Sequence, residues 1–141
     1  MKSDRVKVFA VPLCVERRNN WMIKIRREQI AGMNMHYKYR TLDYFFKTQQ
    51  ALGIKNIEFW CARPHFLLDD YGFEDAAELK KNAADYGLTI GAFSPECTIY
   101  NYALCCHDET ARKHSIGYFE NGIRAAAEAG AKVMVLNCCG G

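Results

Sequence analysis

No Cys-x-x-Cys pair occurs among the seven cysteines of this chain, which leaves a structural zinc site with little support. The thiols are scattered at Cys14, Cys61 and Cys97 and in the adjacent pairs Cys105–Cys106 and Cys138–Cys139. An odd count, without the loop-rich character of a small disulfide scaffold, fits free thiols in a reducing cytoplasm. No apolar run approaches a membrane span, so no membrane partner is expected. Ala31-Gly32-Met33-Asn34 is followed by Met35 and His36 and not by a Gly-rich phosphate loop, which weighs against dinucleotide binding. A basic surplus over the whole domain is missing too. Residues 1–40 hold ten Lys or Arg against three Asp or Glu, but residues 41–141 hold nine against thirteen. A mildly acidic body argues against a nucleic-acid groove and for no nucleic-acid partner.

What is present suffices for one globular core: 141 residues, 50% hydrophobic and 25% charged. Val8 to Val15 follows Lys2, Arg5 and Lys7 and weakly imitates a signal peptide. It is interrupted by Pro12 and followed by Glu16-Arg17-Arg18-Asn19-Asn20 instead of a small-residue cleavage site, so secretion is rejected. Arg17-Arg18 can be encoded by AGG-AGG, a bacterial ribosome-binding sequence, with Met22 at a suitable distance. Residues 1–21 therefore read either as a non-native or flexible leader before a start at Met22, or as a genuine extra strand or arm. The codons at Arg17 and Arg18 and the native N-terminus decide between the two.

The stretch from Gly53 to His65 organises the rest. A glycine ends a helix, a short apolar strand follows, and a polar loop closes it. Alternation sets Ile57 and Phe59 on one face and Glu58 and Trp60 on the other, which predicts helices outside and a polar interior. The pattern recurs at Asp85-Tyr86-Gly87-Leu88 and Glu128-Ala129-Gly130-Ala131. Strands are expected at 29–35, 54–60, 88–93 and 132–137. Helices are expected from the Thr41 cap to Leu52, near 73–86, and from the Asp108 cap to Gly130, the last burying Ile116, Phe119, Ile123 and Ala126–Ala127. Strands alternating with amphipathic helices predict βαβ units and a parallel sheet, in an α/β fold that is either doubly wound or a barrel. Four strands and three helices over residues 22–141 match the N-terminal half of an eightfold TIM-type (β/α) barrel, truncated after the fourth strand.

Asn56-Ile57-Glu58-Phe59-Trp60 with Arg63-Pro64-His65, then Ser94-Pro95-Glu96, Asn101-Tyr102 and His107-Asp108-Glu109, resembles the xylose isomerase-like barrels. Within that family the look is that of the sugar 3-epimerases, over about residues 29–137. The resemblance implies a metal-dependent isomerase in which two metal-bound carboxylates exchange a proton beside a carbonyl through an enediolate. It implies one divalent metal (Mn, Mg or Co) held by two Glu, an Asp and a His at the ends of strands five to eight. None of those ligands can be carried over to this chain, so neither catalytic nor metal residues are assigned and the chain alone is expected to be inactive.

The half in hand is expected to supply substrate-binding residues at the C-terminal face. Trp60 and Phe66 would form an apolar wall against the sugar, a core or lid role accounting for them equally well. Arg63 and His65 flank a stiffening proline within reach of sugar hydroxyls, and Glu96 stands at a strand end where it could orient substrate or serve as a surface cap. Glu58 reads as a structural carboxylate paired with a cation from another strand. His36, Asn34 and Asn137 are weaker pocket candidates, and His107 and His114 read as helix-start and helix-surface residues. The expected partner is a small sugar, with a homo-oligomer favoured by open sheet edges. An apurinic-site endonuclease of the same superfamily and a non-catalytic half-barrel are the alternatives.

Overall fold

The computed structural model describes residues 25–136. The leader at 1–21, the start at Met22, Cys14, Cys138, Cys139 and the pocket candidate Asn137 lie outside them. Strands β1 (Ala31–Met33), β2 (Asn56–Cys61), β3 (Thr89–Pro95) and β4 (Val133–Met134) alternate with helices α1 (Leu42–Ala51), α2 (Ala76–Asp85) and α3 (Glu109–Ala129). The strands form one sheet in the order β1-β2-β3-β4, every neighbouring pair parallel. A doubly wound sheet reverses its strand order partway, whereas a barrel is wound in sequence. No reversal occurs among the described residues, and the architecture is that of a partial barrel.

Side-chain oxygens start the helices. The Tyr44 N–H donates to Thr41 Oγ1 (3.2 Å), the Glu78 N–H to Asp75 Oδ1 (2.7 Å) and the Ala111 N–H to Asp108 Oδ1 (2.8 Å). Each helix then runs into a glycine in the left-handed region, Gly53, Gly87 and Gly130, with φ of 69°, 69° and 77°. A residue with a Cβ is strained there, so all three joints need glycine.

The core lies between the sheet and its helices. Ile57, Phe59 and Cys61 of β2 and Ile90 and Phe93 of β3 pack against Phe45, Phe46, Leu79, Ala83 and Phe119. The Phe59 and Phe93 rings stack 5.9 Å apart, and Phe66 meets them edge-on at 5.9 and 6.0 Å. Ile90 and Phe93 are three residues apart yet share this face. The register explains it: Ile57 pairs with Ile90, but Glu58 pairs with Ala92, so Gly91 is an extra residue that resets the alternation.

The structure departs from the sequence reading in four places. The first strand is only three residues long, because Arg27–Gln29 and Asn34–Tyr37 wind into 3-10 turns on either side. The second helix starts at Ala76 and not at Phe73: Phe73 bridges Leu68 across the Asp69–Gly72 turn, and Asp75 caps behind it. On α3 the buried stripe is Ser115, Tyr118, Phe119, Gly122, Ala125 and Ala129, while Ile116 and Ile123 are 43% and 57% exposed. Close approach outweighs side-chain size at that contact. A Cβ on Gly122 would stand 3.0 Å from Met134 Cε and 3.2 Å from Pro95 Cγ, so the helix can sit this near only on its small-residue face. The fourth strand spans two described residues, Val133–Met134, short of the six expected.

Phe59 is fully buried between two aromatic partners, so Phe59→Ala should lower the urea-unfolding free energy by roughly 3–5 kcal/mol. Val133→Ala, at a residue 57% exposed, should change it by no more than about 0.5 kcal/mol.

Candidate functional site

The sheet face turned away from the helices mixes polar and apolar side chains. Glu58 and Trp60 alternate with the core residues Ile57 and Phe59, and the register sets Met33, Ala92, Val133 and Ser94 on the same face. The Ser94 hydroxyl donates to Glu58 Oε1 (2.6 Å). Among the described residues that hydroxyl takes the place of the cation expected for Glu58. One step further along β3, beyond its end, Glu96 receives the Trp60 indole N–H on Oε2 (2.6 Å). Trp60 and Glu96 are each 5% exposed, so the two site candidates at the ends of β2 and β3 are brought together and close on one another.

A buried carboxylate persists only where enough donors face it. The N–H of Ile99 reaches Glu96 Oε1 at 2.9 Å, joined there by the N–H of Thr98. Burial works against ionisation of Glu96, but the backbone donors of Ile99, Thr98 and Cys97 and the Trp60 indole hold its carboxyl below the usual range. The Tyr118 hydroxyl donates to the Glu96 carbonyl (2.5 Å), tying the same residue to α3. With both carboxylate oxygens engaged, Glu96 organises the 97–99 turn and orients Trp60.

Asn34 holds the other edge. β1 gives way to a 3-10 turn after Met33, and the Asn34 side-chain amide continues the ladder in its place. Its Oδ1 accepts the Trp60 N–H (2.7 Å), and its Nδ2 donates to the Trp60 carbonyl (2.9 Å). Asn34 Nδ2 also lies 3.0 Å from His65 Nδ1, and His65 Nε2 lies 2.9 Å from the Arg40 carbonyl. The amide can only donate to Nδ1 and the carbonyl can only accept from Nε2, which assigns the proton to Nε2 and leaves a neutral ring. His65 thus joins Trp60, by way of Asn34, to the loop before α1.

Arg63 stands apart, exposed and ion-paired to Glu74 (2.8 Å), while its N–H reaches the Tyr100 hydroxyl (3.3 Å). The peptide bond from Arg63 to Pro64 is cis. Phe66 is buried in the core on the helix side, away from the Trp60 face. His36 is exposed on the 3-10 turn.

Sequence reasoning missed a second cluster. Asp70 accepts the Tyr102 hydroxyl (2.7 Å) and pairs with His114 of α3, and its own N–H reaches the Tyr102 oxygen (3.2 Å). Burial opposes ionisation of Asp70, yet the Tyr102 hydroxyl and His114 keep its carboxyl below the usual range. Burial and that carboxylate push Tyr102 up. Tyr102 stacks on Tyr118 with centroids 3.9 Å apart. In front of this cluster a cavity of about 450 Å³ is lined by Leu67, Leu68, Asp69, Ile99, Tyr100, Asn101 and Tyr102. The polar pairs Asp69-Asp70 and Tyr100-x-Tyr102, in the loops that follow β2 and β3, were the available signal.

Among the described residues no three His, Cys, Asp or Glu side chains converge as a metal site. The residues present therefore do not fit the divalent ion that the resemblance implies. No described helix is long and apolar enough to cross a membrane.

The family described as the xylose isomerase-like TIM barrel matches residues 46–141. Fructoselysine 3-epimerases of Shigella flexneri and Escherichia coli O157:H7 are 29% and 28% identical over 96 residues, covering 68% of this chain and 35% of each relative. The chain thus spans about a third of the length of the curated relatives it matches. A crystal structure of D-psicose 3-epimerase in the presence of D-fructose shares the fold with a TM-score of 0.50 at 15% identity, over 70% of this chain and 34% of that one.

Because its folded pKa lies below the ordinary 4.5, Glu96 contributes its full stabilisation above about pH 4.5 and loses it as pH falls through the lower folded value. Glu96→Gln, which turns an amide toward donors, should unfold about 1–3 kcal/mol more easily at pH 7 in urea titrations. That gap should narrow below about pH 4.

Proposed function

The chain belongs to the xylose isomerase-like TIM barrel family, and on that footing we propose that the whole protein is a sugar 3-epimerase acting on a ketose or ketosamine. The observation that carries the reading lies on the inward sheet face, where Glu58 meets Ser94 and where Trp60 and Glu96 are joined at the C-terminal ends of adjacent parallel strands. Barrel enzymes place their chemistry at that end. The names of the matched relatives, fructoselysine 3-epimerases, support the choice of reaction.

In such a reaction the C2 carbonyl acidifies the C3 proton, a base removes it to leave an enediolate, and a proton returns to the opposite face. This chain's part is to bind and orient. Trp60, held by Glu96, walls the inward face; His65 and Asn34 hold the first loop against it; Tyr100 and Asn101 border the cavity between the second and third loops. The Arg63 N–H donates to the Tyr100 hydroxyl at that cavity, and Phe66 belongs to the core behind β2 and β3. The carboxylates in view are committed: Glu58 to Ser94, Glu96 to Trp60, Asp69 to the N–H groups of Tyr71 and Gly72, Asp70 to Tyr102 and His114, and Glu74 to Arg63. Proton transfer is accordingly assigned to residues beyond this chain. A divalent ion (Mn, Mg or Co) belongs to the proposal only with ligands from beyond the described residues. A cytoplasmic setting fits the thiols, of which Cys61 and Cys97 are buried and Cys105 is exposed.

The full-length protein should incorporate solvent deuterium at C3 of candidate ketoses in the presence of Mn²⁺ or Mg²⁺, read by NMR. Trp60→Ala should reduce that exchange by on the order of 10-fold or more, and the 141-residue chain alone should show none. Cleavage of abasic DNA without sugar exchange would transfer the assignment to the endonuclease reading.

Homo-oligomerisation is part of the proposal. Ile116 and Ile123 on α3 and Val133, Val135 and Leu136 in and after β4 are exposed, and β4 is an edge strand among the described residues. Sedimentation of residues 22–141 should show dimers or larger species, and Ile123→Lys should shift them toward monomer. A sharp monomer boundary for the unmodified chain would contradict this.

A further inference from the structure

A second cavity, of about 510 Å³, opens between the loop before α1 and the turn after β2. Lys38, Tyr39, Arg40 and Leu42 line it on one side, Pro64 and His65 on the other. Its volume is that of a small-molecule site. Its chemistry is one-sided: two cations and no carboxylate. Among the described residues neither Lys38 nor Arg40 forms an ion pair. Instead the Lys38 ammonium and the Arg40 guanidinium each lie 5.4 Å from a ring centroid, of Tyr39 and Tyr44 respectively. The neighbouring depression, which shares Leu42 and His65, carries Glu74, Asp75 and Glu78. Those acids are already committed in part, Glu74 to Arg63 and Asp75 to the cap of α2.

Lys38 and Arg40 stand two residues apart on one loop, and an anion seated beside both is attracted by both. The Arg40 guanidinium lies over the Tyr44 ring, and the loop that carries both cations is anchored at Arg40. There the carbonyl accepts from His65, whose other nitrogen is fixed by the fully buried Asn34. Ordering of this kind removes part of the cost of binding. Tyr39, Leu42 and Pro64 add apolar surface for the carbon skeleton that carries the charge.

We propose that this cavity receives an anionic oxygen group, a carboxylate or a phosphate, borne by the substrate at a distance from its reacting carbon. Lys38 and Arg40 bind the anion, the guanidinium offering paired N–H donors to two oxygens. His65 and Asn34 are positioning residues that hold the cationic loop. The sugar nature of the carrier rests on the 3-epimerase reading; the anion site does not.

The test is equilibrium dialysis of the 141-residue chain against radiolabelled inorganic phosphate and, separately, radiolabelled acetate. One saturable site per chain is expected for at least one of the two, and which one binds tells a phosphate from a carboxylate. Lys38→Met and Arg40→Gln should each weaken it by about 10-fold or more, while Lys113→Met, at an ion-paired lysine elsewhere, leaves it unchanged. His65→Ala should weaken it with both cations intact. His65→Gln, whose amide can accept from Asn34 and donate to the Arg40 carbonyl, should restore it. Absence of saturable binding to either anion, or binding indifferent to both Lys38 and Arg40, overturns the proposal. Anion binding in a full-length protein that exchanges no C3 proton would retain this site and remove the epimerase reading, and exchange without anion binding would do the reverse.

Discussion

One primary amide, that of Asn34, holds the mouth of this sheet together. A strand of three residues cannot extend its own ladder as far as Trp60, so the side chain supplies the missing peptide group, one acceptor and one donor. The same nitrogen meets His65, and through it the loop that bears Arg40. The loops after β1 and β2 therefore both depend on a single fully buried polar group. An aspartate there would offer no donor to the Trp60 carbonyl, and a leucine would leave both groups of Trp60 unpaired in a buried setting.

The two faces of the sheet obey different rules. Toward the helices the contacts are aromatic and aliphatic, and their specificity comes from shape: stacked Phe59 and Phe93, and a glycine on α3 where Met134 and Pro95 press close. On the other face specificity comes from counting donors and acceptors. Glu96 tolerates burial because backbone N–H groups and an indole surround it, and Glu58 is satisfied by a hydroxyl. The reset at Gly91 allows both sets of rules to be met along one strand.

Much of this was legible in the sequence, for local reasons. Caps at Thr41 and Asp108 and the glycines ending each helix act within a few residues, so their chemistry is visible in the string itself. Alternation placed Trp60 opposite the core, and its partnership with Glu96 follows from two strands ending side by side. Phe66 takes the core position that its sequence reading left open beside a wall role, because the turn in which the Ala62 carbonyl accepts from both His65 and Phe66 returns the chain to the helix side. The Asp70–His114 pair joins residues 44 positions apart, and no periodicity reports such a contact. On α3 the choice of face was decided by how near the helix may come, a property of small residues that a hydrophobic stripe does not weight.

The repeated glycine joints have a consequence for how such a protein can change over time. All three sit where a helix returns to the sheet, at the end opposite Trp60, Glu96 and the cavities. Mutation of a loop at the open end leaves the hinge geometry of its unit untouched, and a lost joint glycine disturbs one unit without rewriting the loops of its neighbours. Ligand preference and foldability are thus inherited through separate sets of positions. A lineage carrying this arrangement can explore new substrates by trading loops such as 38–41 or 97–107 while its joint glycines stay in place.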